Sequence, residues 1–176
     1  PRHLAVLSKA AEESGWTRPL QQGRGRGISL QESFGSIVAQ VVEVTVIEGK
    51  LSVDRVVAVI DAGIAVAPDG IAAQLESGII YGLTAALHGE ITIENGSIAQ
   101  SNFDDYKSVR MDEAPKIETH IINSGHDIGG AGEPGTPGIA PALANAVFDA
   151  TGLRIRQLPL GNFDLNYQAE ESGEVA

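Results

Sequence analysis

The chain has 176 residues, enough for one domain with a core of its own. Hydrophobic residues make up 43% and charged residues 20%, too apolar for an extended disordered chain, and 23 Asp and Glu against 12 Lys and Arg leave a formal net charge of -11 that disfavours nucleic acid and anionic membrane as partners. There is no cysteine, which removes disulfides, thiol catalysis, zinc–thiolate sites and iron–sulfur ligation from this chain.

Leu4, Leu7, Ala10 and Ala11 recur at helical spacing and Gly15 closes the run, so the chain opens on an amphipathic helix. Gln22-Gly23-Arg24-Gly25-Arg26-Gly27 reads as an irregular stretch; a phosphate cradle is one reading, and a surface turn entering a strand is favoured because no P-loop or dinucleotide fingerprint is complete. Two strands follow, Ile37 to Ile47 and Leu51 to Ile60, joined by a tight turn at Glu48-Gly49-Lys50. In the first, Val42, Val44 and Val46 alternate with Glu43 and Thr45, which predicts one buried face; the second is almost continuously apolar and is expected to be covered on both.

Pro68 suits the first turn of a helix running to Leu87, in which Gly78 and Gly82 share a face and permit close packing. This run, Ile71 to Leu87, is the longest apolar candidate, yet Gln74, Glu76 and Ser77 break it, so no membrane span is expected. Short strands from Glu90 to Glu94 and Ser97 to Gln100 flank Asn95-Gly96, and Lys116 to Ile122 alternates as a further strand. Gly and Pro dominate 129–138, which excludes regular structure there. An alanine-rich helix follows from Ile139 to Thr151 with Gly152 as its stop, and then a last strand is expected from Leu153 to Leu158. After Asp164 the chain turns polar and acidic. The pattern is α+β, a mixed sheet with packed helices.

Glu133 stands out for chemistry. It lies in the glycine-rich loop just before a helix N-terminus, where free amides offer donors to anionic oxygens and a partly desolvated carboxylate can act as a general base. The competing reading is a solvated surface glutamate, or one satisfying amides at the helix start. His3, His88, His120 and His126 lack metal-ligand spacing, so no metal ligand is assigned, and no G-x-S-x-G elbow or Ser/His/Asp set supports nucleophilic hydrolysis. Asp104, Asp105, Tyr106 and Arg110 read as a structural polar cluster.

Several blocks together carry a resemblance. They are Gly23-Arg24-Gly25-Arg26-Gly27, Asp61-Ala62-Gly63, Ala73-Gln74-Leu75-Glu76, Ser101-Asn102-Phe103-Asp104-Asp105-Tyr106, Gly130-Ala131-Gly132-Glu133-Pro134-Gly135 and Pro141-Ala142-Leu143-Ala144-Asn145-Ala146. In this order they resemble the C-terminal part of the large, molybdenum-cofactor-binding subunit of the xanthine dehydrogenase and aldehyde oxidase family, in its isoquinoline 1-oxidoreductase beta branch. The resemblance implies the second molybdopterin-binding domain over 1–163, with an acidic tail over 164–176. It also implies a molybdenum-dependent oxidoreductase that hydroxylates an aldehyde or N-heterocycle with water-derived oxygen. Glu133, in the family's G-x-G-E-P position, would be the general base, and Gln74 matches a glutamine that hydrogen-bonds the pterin. Gly130, Ala131 and Gly132 would complete the cofactor contacts; separately from the resemblance, the small size of glycine at 132 would allow Glu133 its close approach. Ala62, Ala67 and Ser77 depart from the family's common cysteine, asparagine and glycine.

The implied cofactor is a molybdenum–pterin complex in its cytosine dinucleotide form, with iron–sulfur clusters on a partner chain. The implied partners are the remainder of the large subunit, a small iron–sulfur subunit and the small-molecule substrate. The chain begins at Pro1 rather than Met and reads as the last portion of a longer, soluble subunit, inactive alone, from either the bacterial cytoplasm or periplasm. The alternative is a non-catalytic domain that is structural or cradles the cofactor, or a truncated remnant.

Overall fold

The computed structural model describes residues 1–166. Two pairs of adjacent residues with positive φ, Phe34-Gly35 and Glu48-Gly49, form two-residue turns whose twist matches that of paired strands. They fold the chain into an antiparallel meander of β1 (Arg24–Ser33), β2 (Ser36–Ile47) and β3 (Lys50–Asp61), with Ser33 opposite Ser36 and Ile47 opposite Lys50. The fourth strand, β6 (Lys116–Ile122), lies parallel to β3 and pairs Arg55 with Lys116 through Asp61 with Ile122. A parallel neighbour requires a long connection, and this one carries α2 (Pro68–Leu87) and the small hairpin of β4 (Ile93–Glu94) and β5 (Ser97–Ile98). The sheet order is β1-β2-β3-β6, so the expected mixed α+β architecture is the one observed.

Helices cover both faces of this sheet. On one side α1 (Arg2–Ser14) packs Val6 and Ala10 against Ile37, Ala39, Val41, Val57 and Val59. On the other, α2 and α3 (Ile139–Thr151) enclose the larger core, where Leu75, Ile79, Leu83, Leu143 and Val147 meet Val38, Val42, Val56, Ala58 and Ile60. Strand β2 is therefore buried on both faces rather than one. The alternation of Val42 and Val44 with Glu43 is visible only at its outer end, where Glu43 meets arginines instead of aliphatic side chains.

Three further expectations change. Residues 24–27 are not an irregular surface stretch: β1 starts at Arg24, and Gly25 and Gly27 are buried because α3 lies directly on them. A Cβ on Gly27 would collide with the Ala142 carbonyl and the Ala146 amide, and one on Gly25 with the Ala146 carbonyl. The strand expected over 153–158 is absent. The outer edge of β1 is taken by α3 side chains: Asp149 accepts from the Arg26 amide at 2.9 Å and Asn145 donates to the Ile28 carbonyl at 3.2 Å. With that edge occupied, the segment instead tucks Ile155 into the core and stacks the Arg154 guanidinium on Phe148, 3.4 Å from the ring centroid. The hairpin at Asn95-Gly96 is present but shorter than expected.

The packed part of the chain extends to Leu165, which reaches the larger core; from Tyr167 onward the acidic tail lies outside the described residues. Among the described residues, no helix is long and apolar enough to cross a membrane.

Candidate functional site

The glycine-rich loop spans the gap between β6 and α3, and its shape is imposed by its neighbours. Gly129 donates to the Ala62 carbonyl at 3.0 Å and Gly130 to the Phe34 carbonyl at 2.8 Å. Four side chains from the first two strands then take successive loop carbonyls. Ser36 Oγ donates to Gly130 at 2.6 Å, Gln31 Nε2 to Pro134, Gln40 Nε2 to Gly135 at 2.7 Å, and Ser29 Oγ to Gly138 at 2.7 Å. Thr136 closes a turn onto the Glu133 carbonyl at 2.9 Å. With the carbonyls drawn toward the sheet, no acceptor among the described residues takes the amides of Ala131, Gly132 or Glu133, and these are the donors an anionic ligand needs.

The other side of the loop rests on α2. Gly135 sits against the Leu75 carbonyl, Gly78 faces the Cα of Gly135, and Gly82 faces the Thr136 carbonyl and Ile139. The paired glycines of α2 are thus a packing seam, as their spacing indicated. This seam brings Gln74, Ser77 and Tyr81 of α2 to the same groove as Gly132, Glu133 and Thr136 of the loop, with Phe34 at its rim. The groove encloses about 560 Å³.

Two expected site residues, Gln74 and Glu133, meet here although they are far apart in the chain. Gly132 also lines the groove, and a Cβ on it would meet no atom within 4 Å. Close approach within this chain therefore does not require glycine at that position. Gly130 and Ala131 do not line it: Gly130 is tethered at both its amide and its carbonyl, and the half-buried Ala131 packs on the larger core. Glu133 is exposed, so the desolvation expected for it is not provided by the described residues.

The sequence reading missed Ser29, Gln31, Ser36 and Gln40. Of these only Gln40 carries a signal, as a lone amide within the apolar run from Ile37 to Val42. The Asp104–Arg110 cluster is a capped turn, in which the Asp105 carboxylate accepts from the Ser101 and Asn102 amides at 2.8 and 2.9 Å. Among the described residues no group of His, Asp and Glu is placed to hold a metal ion. His3, His88 and His120 face Glu32, Glu113 and Glu13 at 2.8, 3.3 and 3.7 Å.

A mixed sheet flanked by helices carries a groove that sets unpaired amides beside an exposed carboxylate, donors and an acceptor open to a polar ligand. The chain belongs to the molybdopterin cofactor-binding domain family, which it matches over residues 7–115, within the wider xanthine oxidase family. That match includes Gln74 and stops short of Glu133.

The chain is 36% identical over 165 residues to the beta chain of the isoquinoline 1-oxidoreductase of Brevundimonas diminuta, covering 91% of this chain and 21% of that protein. A span of that share cannot omit the glycine loop, which lies far from both ends. The chain is also 32% identical over 180 residues to one of the subunits of the nicotinate dehydrogenase of Pseudomonas putida, covering 91% and 15%. Among solved structures it resembles the CO dehydrogenase of Oligotropha carboxidovorans with a TM-score of 0.61 and 27% identity, covering 70% of this chain and 17% of that one. It therefore spans about a fifth of the length of the first of these relatives.

Proposed function

We propose that this chain forms the cofactor-facing wall of the catalytic subunit of a molybdenum hydroxylase, with Glu133 as the general base in oxidation of an aldehyde or N-heterocycle. The observation that carries this reading is that Gln74 and Glu133, from separate elements, line one groove whose loop amides have no acceptor among the described residues. These groups suit a pterin complex: the amides of Gly132 and Glu133, both lining the groove, donate to anionic oxygens, and the Gln74 carboxamide can both donate to and accept from a heterocycle edge. When bound, the molybdenum–pterin group supplies two-electron oxidation of the substrate carbon, with oxygen derived from water. The protein's part is to hold that group, to orient the substrate, and to accept the released proton at the Glu133 carboxylate.

In the same reading the pterin is the cytosine dinucleotide form and the iron–sulfur clusters belong to a separate small subunit; with no cysteine, this chain itself offers no thiolate ligands for a cluster. The remainder of the large subunit is the partner that closes the groove. The exposed apolar side chains Val66, Tyr81 and Ile128 support such a contact. In the full-length enzyme Glu133→Gln is expected to lower turnover by about a thousandfold with molybdenum content unchanged; retained turnover would sink the assignment.

A second reading, a non-catalytic cradle for the cofactor, is favoured by the exposure of Glu133. It differs in outcome: Glu133→Gln would then reduce molybdenum and pterin content and leave turnover per molybdenum intact.

A further inference from the structure

The catalytic reading places a glutamate on a loop made largely of glycine and proline, which has little side-chain packing of its own to define its course. What defines it lies beneath. Gln40 is fully buried in the middle of β2, in the same side-chain row as Val38 and Val42, and donates from Nε2 to the carbonyl of Gly135, two residues beyond Glu133. Gln31, on β1, donates to the neighbouring carbonyl of Pro134. From the opposite side Gly135 is pressed against Leu75 and Gly78 of α2, and the Thr136 amide closes back onto the carbonyl of Glu133. The peptides that follow Glu133 are thus clamped between β2 and α2.

Packing alone does not call for this residue. The Oε1 atom of Gln40 is buried and has no donor among the described residues, a penalty that a methionine of similar length would avoid. The amide therefore carries a cost, and its one partner among the described residues is the loop.

We propose that Gln40 is a positioning residue for Glu133: its hydrogen bond to Gly135 sets the loop course that presents the Glu133 carboxylate to the groove. This rests on the reading of Glu133 as the base.

The test uses the full-length enzyme carrying Gln40→Met, compared with Glu133→Gln and the unsubstituted protein. Molybdenum per subunit, kcat, KM and hydrogen exchange over residues 131–136 are measured for each. The expected result is a kcat per molybdenum lower by about tenfold to a hundredfold. Molybdenum content and KM should stay within about twofold, and exchange at the Thr136 amide, which closes onto the Glu133 carbonyl, should quicken in the metal-free protein as well as in the loaded one. An unchanged kcat per molybdenum, or a loss that only tracks molybdenum content, would overturn the proposal. If Gln40→Met does not fold, Gln40→Leu puts the same question with a smaller apolar side chain, and unaltered kcat and exchange there would equally overturn it. Retained turnover in Glu133→Gln removes the base reading itself. Full kcat in Gln40→Met beside an inactive Glu133→Gln removes only the positioning role.

Discussion

Arg2, the first residue of α1, grips both carboxylate oxygens of Asp61, the last residue of β3, with Nε 2.9 Å from Oδ2 and Nη2 3.0 Å from Oδ1. Asp61 is buried, and it also accepts from Ser124 Oγ at 2.7 Å and the Gly63 amide at 2.9 Å. One carboxylate thereby ties together the start of α1, the end of β3, the turn toward α2 and the segment that enters the glycine loop.

Burial by itself would raise the pKa of Asp61, but the Arg2 guanidinium, the Ser124 hydroxyl and the Gly63 amide outweigh it and lower the value from 3.8 to about 2. Glu118, held first by Arg55 and then by Lys116, is lowered from 4.5 to about 2. Both groups bind protons more readily in the unfolded chain. Their stabilisation is therefore complete above about pH 4.5 and is lost as pH falls toward 2. Urea unfolding between pH 7 and pH 2.5 should show this loss, with about 2 kcal/mol of it due to Asp61. Asp61→Asn should lower stability at pH 7 by about 3 kcal/mol and flatten the acid limb. An acid limb as steep as that of the unsubstituted protein would contradict this account.

Arg26 ties the turn that follows α1 to the sheet. Its Nη1 donates to the carbonyls of Gly15, Trp16 and Arg18 at 3.0, 2.8 and 3.3 Å, while Nε donates to Glu43 at 3.0 Å. A lysine ammonium cannot reproduce that fork. Arg26→Lys is expected to cost about 2 kcal/mol, seen as a fall in Tm of about 4–8 °C, with earlier proteolysis between residues 15 and 20. A Tm within 1–2 °C of the parent, roughly the noise of a surface change, would remove this tethering role.

Two glycines should behave in opposite ways. Gly27→Ala places a Cβ on the backbone of α3 at Ala142 and Ala146, and overpacking of that kind costs about 1–3 kcal/mol. Because α3 begins directly after the loop, cofactor content should fall with stability. Gly132→Ala meets nothing within 4 Å in the chain, so its Tm should match the parent. A drop in molybdenum content there, without a drop in Tm, would report contact between that loop position and the cofactor.

Much of the architecture was legible in the sequence because it depends on neighbours in the chain. Helical spacing in 4–11 closed by Gly15, Pro68 at a helix start, Asn95-Gly96 at a hairpin and Gly152 at a helix end are local preferences, and each element lies where its pattern put it. The glycine loop and Glu133 were legible for the same reason, since a run of Gly and Pro excludes regular structure without reference to anything else.

Contacts between distant segments were not legible. Gly25 and Gly27 lie in a strand that α3 covers directly, a contact with no local signal, and the strand expected after α3 is absent because Asn145 and Asp149 already occupy the edge of β1. The sequence by itself determined the helices, the hairpin joining β2 to β3, the acidic charge and the one loop carboxylate worth suspecting. The tertiary structure alone decided that Gln74 shares a groove with that carboxylate and that Gln31 and Gln40 hold the loop beneath it. The physical reason is that a hydrogen bond between residues 95 apart leaves no periodicity in the chain; its one trace is a lone amide in an apolar strand.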